Sequence, residues 1–490
     1  MIPYKQLSLA DIYCECENIL ENDKPEFLSL LEKHINLDEI IPPSFYYHFN
    51  SWTGRPREYP LRGFLWALLI QKIFAIPRDE LLLVFLHYSK ELREFCGFDK
   101  VPDASKITRF KQDFLEDLQS LFERLVDMTE PICQIIDSAK ADMTIFDSSG
   151  IEAYVTENNP KFADRLIRQV KAYVKSMNLD KGYDPYKIAY SRMPTCAHAD
   201  PEIKQQYINS HFCYAYKFGL VTNGLGIVRH IAFYNKDWLA AHPEVVLEKK
   251  SDSPDEDKSA HDTKLLIPTL QDFFKLHPLY NPKIFLGDAA FDAIQIYKDL
   301  LSGDTFGENR HFAKAYIPLN IARLENSDYT INEHGIPCCP NDPSLPMKPE
   351  GNTSHLRCGL PTFKFVCPKM NWQKCDDGKR RRITQCQSPC TSSKCGRMIY
   401  VYPGKDLRAY PGSIRGTPDW DNTYKIRTAV ERSIGHFKDS FGLAHRRTQN
   451  AKTLHADLLL AGIAQLFTVL LTDKLHRHDL FRSVKSLVAA

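Results

Sequence analysis

Three acidic residues stand where chemistry could use them. Asp147 closes the apolar run Thr144-Ile145-Phe146, and Asp288 closes Ile284-Phe285-Leu286-Gly287. The carboxyl ends of strands in open sheets face a crevice rather than a packed layer, so an acid placed there can meet a ligand or a metal. Taken singly, each also reads as a turn or helix-cap residue. The third acid, Glu431, lies in the segment running from Tyr424 through Arg427 to Lys438. At about 100° per residue, Tyr424, Arg427, Glu431 and Lys438 fall within roughly 60° of one another on a helix. Ile426, Val430, Ile434, Phe437 and Phe441 form the adjoining apolar stripe. One helix can therefore pack its apolar face and present a carboxylate between two cations at the edge. A surface helix with ordinary salt bridges has the same pattern.

A second constellation is made of thiols. Of 14 cysteines, eight lie between Cys338 and Cys395: Cys338, Cys339, Cys358, Cys367, Cys375, Cys386, Cys390 and Cys395. The run Cys386-x3-Cys390-x4-Cys395 is similar to part of a structural zinc site, whose thiolates close a tetrahedron. Cys367 and Cys375 complete the candidate set. No pair has the common two-residue gap, so reduced thiols in an irregular loop remain the alternative. Lys379-Arg380-Arg381-Arg382 in the same segment reads either as a phosphate contact or as a solvated charge run. Asp292, one helical turn beyond Asp288, reads as a cap or supporting group. His211, His230 and His436 show no metal-ligand spacing.

The elements that must position these groups can be read more coarsely. A chain of 490 residues corresponds to about three domains. Hydrophobic residues make up 43% and charged residues 25%, which is ordinary globular usage and excludes a mostly disordered chain. The net charge of +2 does not announce a nucleic-acid binder; such binding must come from local patches. The longest apolar stretch, Leu458 to Leu471, is 14 residues, short of the ~20 that span a membrane. The N-terminus shows no secretory pattern. An intracellular protein without a membrane partner is expected, with its cysteines as thiols or metal ligands.

Residues 1–138 read as a helical domain with helices over Pro25–Ile35, Leu61–Phe74, Asp79–His87, Leu92–Phe98 and Ala104–Leu121, the last capped by Asp103. Residues 139–326 read as mixed α/β. Strands are expected at Met143–Phe146, Ile151–Val155, Pro282–Leu286 and Ala315–Leu319, with helices over 161–177 and Ala290–Leu301. Phe212–Thr222 and Ile227–Tyr234, joined by Asn223-Gly224-Leu225-Gly226, read as a hairpin. Lys249–Lys264 reads as a polar loop. Residues 327–397 are the irregular, cysteine-rich insertion, and 398–490 return to helix over Trp420–Leu475.

The run Tyr424-x2-Arg427-x3-Glu431-x6-Lys438 resembles the Y-R-E-K signature of bacterial insertion-sequence transposases, which are members of the DDE class. Thr144-Ile145-Phe146-Asp147-Ser148-Ser149 and Leu286-Gly287-Asp288-Ala289-Ala290-Phe291-Asp292 resemble the family's first and second aspartate blocks. Gly54-Arg55-Pro56 and the helices up to Phe110 resemble its common N-terminal domain. The resemblance implies an α/β fold: a ribonuclease-H-like catalytic core, a helical N-terminal domain, and an insertion between the second and third acids. It implies that Asp147, Asp288 and Glu431 are catalytic and hold two magnesium ions, for which manganese substitutes. It implies that Tyr424, Arg427 and Lys438 contact DNA; Arg446 and Arg447, which follow the signature segment, read as facing DNA as well. The implied activity is cleavage at terminal inverted repeats and strand transfer into target DNA by a homodimer, with no small-molecule substrate, in the nucleoid of the cytoplasm. A nuclease that does not join, and a silent DNA-binding descendant, are the alternatives.

Overall fold

The structure is a computed structural model that describes residues 25–50, 56–178, 188, 193–208, 211–246, 260–307, 310–320, 330–357, 360–376, 378–402, 407–408 and 410–484. Gly54, Arg55, Cys358 and most of the polar run Lys249–Lys264 lie outside the described residues. The chain divides into two compact units. The first is Met1–Ile136, Gly150–Tyr216 and Ile434–Ala490, and the second is Asp137–Ser149 and Lys217–Ser433.

The first unit is built on helices. They are α1 (Glu26–His34), α2 (Leu37–Ile40), α3 (Pro43–Phe49), α4 (Leu61–Ile73), α5 (Asp79–Tyr88), α6 (Lys90–Phe95), α7 (Ala104–Asp113) and α8 (Leu115–Ala141). Their starts carry the expected chemistry. The Asp103 carboxylate accepts from the Lys106 N–H at 3.1 Å, and the Ser89 hydroxyl accepts from Leu92 N–H at 3.1 Å, satisfying donors a helix leaves unpaired. The single helix expected over Ala104–Leu121 is instead two. It breaks at Phe114 (φ −112, ψ 28), whose ring packs against Phe45, Phe49 and Phe110. Tertiary packing there outweighs local helical preference. Helix α8 breaks in turn at Asp137 (φ −163, ψ 96), where the second unit begins.

After strand β1 (Met143–Glu152) the first unit continues with α9 (Pro160–Ser176). The N-cap residue Asn159 accepts from Lys161 N–H at 3.0 Å. The final long helix lies over Ala451–Lys474; by length and composition it could cross a membrane, yet 94% of its most apolar window is buried inside the protein. It is apolar on every side, as a central core helix is, and it packs on α4 and α7.

The second unit is mixed α/β. Its strands are the first part of β1, the second part of β3 (His211–Thr222), and β4 (Val228–Phe233), β5 (Ile284–Leu286) and β6 (Lys314–Tyr316). The sheet order is β2-β3-β1-β5-β6, with β4 pairing β3; β2 (Lys204–Ile208) pairs with the beginning of β3 in the first unit. The expected hairpin forms β3 and β4. Residues Ile151–Val155 are not a separate neighbouring strand, because β1 runs straight on to Glu152. Helices α10 (Lys236–Ala241) and α11 (Asp262–Leu276), the latter containing Pro268, went unread in this part of the chain. Helix α11 packs Leu265, Leu266, Leu270, Phe273 and Phe274 into a core with Phe146, Phe285 and Phe291. Helix α12 starts only at Ile294, after a tight turn over Ala289–Phe291.

The cysteine-rich segment is more regular than its composition suggests. It contains β7 (Cys338–Cys339), β8 (Asp342–Pro346), β9 (Lys348–Arg357), β10 (Leu360–Val366), β11 (Met370–Lys374), β12 (Arg380–Thr384) and β13 (Met398–Val401). Strands β13-β10-β9 form one small sheet and β11-β12 a hairpin. Phe363 and Phe365 alternate inward and pack with Ile336, Met347, Ile399, Val401 and Tyr410. The chain then forms α13 (Pro418–Tyr424) and α14 (Thr428–Gly435), and in the first unit the long apolar helix is α15 (Ala451–Lys474).

Candidate active site

Strand register brings the first two acids together. β1 and β5 pair in parallel with Met143 opposite Ile284, Thr144 opposite Phe285 and Ile145 opposite Leu286. Two residues further on stand Asp147, still within β1, and Asp288, which lies just past the end of β5 and caps the turn over Ala289–Phe291. Side chains alternate along a strand, so both acids leave the same face at matching height. The Asp147 carboxylate accepts from Ser148 N–H at 2.9 Å, and that of Asp288 accepts from Ala289 N–H at 2.5 Å.

Arg427 links the third acid to the first. Its guanidinium lies 2.5 Å from Glu431 Oε1 and 3.7 Å from Asp147 Oδ2. It also feels the charge of Asp288, and with Tyr424, Glu431 and Asp147 this holds its pKa above the ordinary arginine value although burial opposes it. Tyr424 stacks on Trp420 with centroids 4.8 Å apart. Burial raises its phenol, and Asp288 and Glu431 raise it further. So Arg427 senses all three carboxylates and Tyr424 senses Asp288 and Glu431, within a single unit.

The signature residues do not share one continuous α-helix. A tight 3-10 turn over Lys425–Arg427 separates α13 from α14, and a wide π turn holds His436–Ser440. The four-residue step from Arg427 to Glu431 still brings those two together. Lys438 belongs to the first unit, where its charge acts on Cys213. Burial nevertheless pushes that thiol up to about 12.

A fourth carboxylate escaped the sequence reading. Asp262 at the start of α11 accepts a hydrogen bond from the Ser148 hydroxyl and an ion pair from Lys217 at 2.9 Å. Its charge raises Asp147, after burial, the largest cause; with Asp288 also raising it and Arg427 lowering it, the Asp147 carboxyl is pushed up to about 6. Asp262 ends an acid-rich polar run, and nothing local distinguishes it from Asp252 or Asp255.

The donor set is all carboxylate oxygen, the kind magnesium prefers. Four acids against Arg427 and Lys217 leave an excess of negative charge that a divalent cation would relieve. Among the described residues, no three His, Cys, Asp or Glu side chains stand close enough to hold one ion. Arg427, which pairs with Asp147 and Glu431, and Lys217, which pairs with Asp262, are the cations that stand among the four acids.

Glycine at position 226 sets where α14 sits. Gly226 has φ +83, and a Cβ there would lie 3.1 Å from the Ala429 carbonyl oxygen, two residues before Glu431. Gly226→Ala is expected to cost about 1–2 kcal/mol in urea unfolding and to lower catalytic rate by displacing α14.

Asp292 is a supporting group. It is buried and accepts from Arg408 (2.6 Å), Asn320 N–H (2.6 Å) and the Tyr297 hydroxyl (3.0 Å). Arg446 is also buried, paired with Asp79 at 2.9 Å and Asp457 at 2.6 Å, whereas Arg447 is exposed. Arg382 pairs with Glu350 at 2.5 Å and lies over Trp372, so part of that basic run is structural.

The thiols are free, Cys367 buried and Cys375, Cys386, Cys390 and Cys395 half-buried. Hairpin register separates them. Met370 pairs with Thr384 and Lys374 with Arg380, so Cys367 and Cys386 flank one end while Cys375 sits at the turn. Five residues of strand span about 16 Å. Cys375 therefore stands apart from the others.

The solved structure of a piggyBac transposase synaptic complex with hairpin DNA has a TM-score of 0.36 and 11% identity to this chain, covering 95% of this chain and 80% of that one; at that score the likeness carries no argument. No curated protein matches the chain. Residues 15–113 match the family described as Transposase domain (DUF772), so what the comparisons show is a likeness to a transposase domain over this N-terminal segment.

Proposed function

We propose that this protein is a DNA transposase of the insertion-sequence type, acting on terminal inverted repeats and target DNA as a homodimer. The observation that carries the reading is the convergence of Asp147, Asp288 and Glu431 on Arg427. The sheet order β4-β3-β1-β5-β6 supports a ribonuclease-H-like core, and the family match over residues 15–113 supports the transposase class.

In this reading Asp147, Asp288 and Glu431 hold two magnesium ions, with manganese as a substitute. Such a pair, when bound, supplies an activated attacking oxygen and stabilises the leaving 3′-oxygen. Arg427 releases the carboxylates and turns to the scissile phosphate, which its planar fork grips with paired hydrogen bonds. Tyr424, braced on Trp420, fixes the end of that grip. Asp262 and Lys217 orient Ser148 beside Asp147.

The test is a strand-transfer assay with oligonucleotides bearing the inverted repeats that flank the coding region. Cleaved and joined products are expected. Cleavage without joining would make the chain a nuclease. Binding without cleavage would make it a silent DNA-binding descendant.

Zinc is proposed to draw together Cys367, Cys386, Cys390 and Cys395, which as they stand are not close enough to share an ion, with Cys375 left out by register. Purified reduced protein is expected to contain about one zinc per chain, unchanged by Cys375→Ser and lost in Cys390→Ser. Folded protein free of zinc would remove the site.

A further inference from the structure

A cleft of about 810 Å³ opens in the first unit, walled by Pro77–Arg78, by Glu152–Asn159 after β1, and by Ala444–Gln449 before α15. Its charge is one-sided. Arg78, Arg446 and Arg447 line it, against the single carboxylate of Glu152. Arg78 and Arg447 are exposed and pair with no carboxylate among the described residues. Arg446 is committed to Asp79 and Asp457, yet its buried Nε has no hydrogen-bond partner. A smaller cavity of about 340 Å³ shares Arg78, Arg446 and Arg447 but adds Asp79 and Glu80, so the excess of positive charge is greatest in the larger cleft.

One aromatic ring stands in this setting. Tyr154 is 57% exposed, and the Arg447 guanidinium lies 5.4 Å from its ring centroid. The backbone beneath it is fixed. The Gln449 amide donates to the Tyr154 carbonyl at 2.8 Å, and Tyr154 N–H donates to the Thr448 carbonyl at 3.4 Å. The Asn158 amide donates to the Ala153 and Tyr214 carbonyls at 2.8 and 2.7 Å. An exposed ring on an immobile backbone, with cations around it, is a platform on which any base can stack while its phosphates are neutralised.

We propose that this cleft binds a single nucleic-acid strand, with phosphates on Arg78 and Arg447 and one unstacked base on Tyr154. Arg446 shapes the floor and stays on its carboxylates. The choice of nucleic acid over an acidic peptide rests on the transposase reading; the charge and the ring do not.

The test uses the full chain in EDTA, so that no cleavage intervenes, and reads fluorescence anisotropy of a labelled 16-nucleotide oligo-dT and of a duplex of equal length. Wild type is expected to bind the single strand. Tyr154→Ala is expected to weaken that binding about 5- to 100-fold, and Tyr154→Phe to keep it. Arg78→Ala and Arg447→Ala are each expected to lower the salt slope by about one. Thermal unfolding of each variant shows that the fold is kept. Wild-type binding that all three alanine variants retain would overturn the cleft and leave the transposase reading intact. Wild type that binds neither strand nor duplex would overturn both. Displacement of the strand by poly-glutamate as readily as by unlabelled oligo-dT would overturn the nucleic-acid assignment in favour of an acidic peptide.

Discussion

Glu431→Gln is expected to abolish cleavage and joining, by at least about 10³-fold, while terminal-repeat binding stays within a few-fold of wild type. The substitution keeps size and hydrogen bonding but removes the charge that Arg427 now meets at 2.5 Å. Asp147→Asn is expected to do the same to activity and the opposite to stability. Burial pushes the Asp147 carboxyl up to about 6 from 3.8, and a rise of that size corresponds to about 3 kcal/mol. The folded state binds that proton more tightly than the unfolded chain, so the penalty is absent below about pH 4 and complete above about pH 6. Metal-free Asp147→Asn protein at pH 8 should therefore melt at a higher temperature than wild type. Cleavage surviving in either variant would remove the acid from the catalytic set.

The second large effect lies far from the carboxylates. In the first unit, Lys72 pairs with Asp457 at 2.9 Å, Lys111 with both Asp79 and Asp457 at 2.9 Å, and Arg446 with both acids. The Lys72, Lys111 and Asp457 side chains are at most 1% exposed. Asp457→Ala leaves three buried cations facing Asp79 alone and is expected to cost about 3–5 kcal/mol, read by urea unfolding. Replacing Asp457 by Leu together with Lys72 by Met should recover much of that loss, because the uncompensated charge goes with its partner.

The same cluster sets a pH dependence. Burial raises Asp457, but Arg446, Lys111 and Lys72 outweigh it and bring it down to about 2; Asp79 is likewise held well below the usual carboxylate range. Their stabilisation is present above about pH 4 and lost as pH falls through those lowered values. Burial lowers Lys72 to about 7, so the unfolded chain binds its proton more readily and stability from this group rises between pH 7 and 10. Melting temperature of the Asp147→Asn variant, which removes the opposing Asp147 penalty, should fall steeply only on the acid side when measured from pH 3 to 9.

Much of this was legible in the residue pattern. Asp103 caps its helix as its type and position predicted, and the Asn223-to-Gly226 turn joins β3 to β4. Asp288 could be placed just past a strand end because the run Ile284-Phe285-Leu286-Gly287 precedes it, whereas Asp147, read as closing its strand, lies within β1, which runs on to Glu152. What escaped depends on partners distant in sequence. Phe114 breaks a helix because three other rings capture it. Asp262 gains meaning only beside Ser148 and Lys217. The inserted strands carry proline, glycine and cysteine that obscure alternation, although Phe363 and Phe365 show it. Arg446 looked like a DNA contact beside Arg447, and only the fold shows which of the two faces outward.

The bond from Lys72 to Asp457 joins residues 385 positions apart, and this governs how the chain comes into being. At roughly 5–20 residues per second, the ribosome exposes the N-terminal helices tens of seconds before α15 arrives. In that interval Lys72 lacks Asp457 and Lys111 has Asp79 alone, and their helices have no central rod to close on. A message cut short before α15 is therefore expected to yield no independently stable amino-terminal fragment.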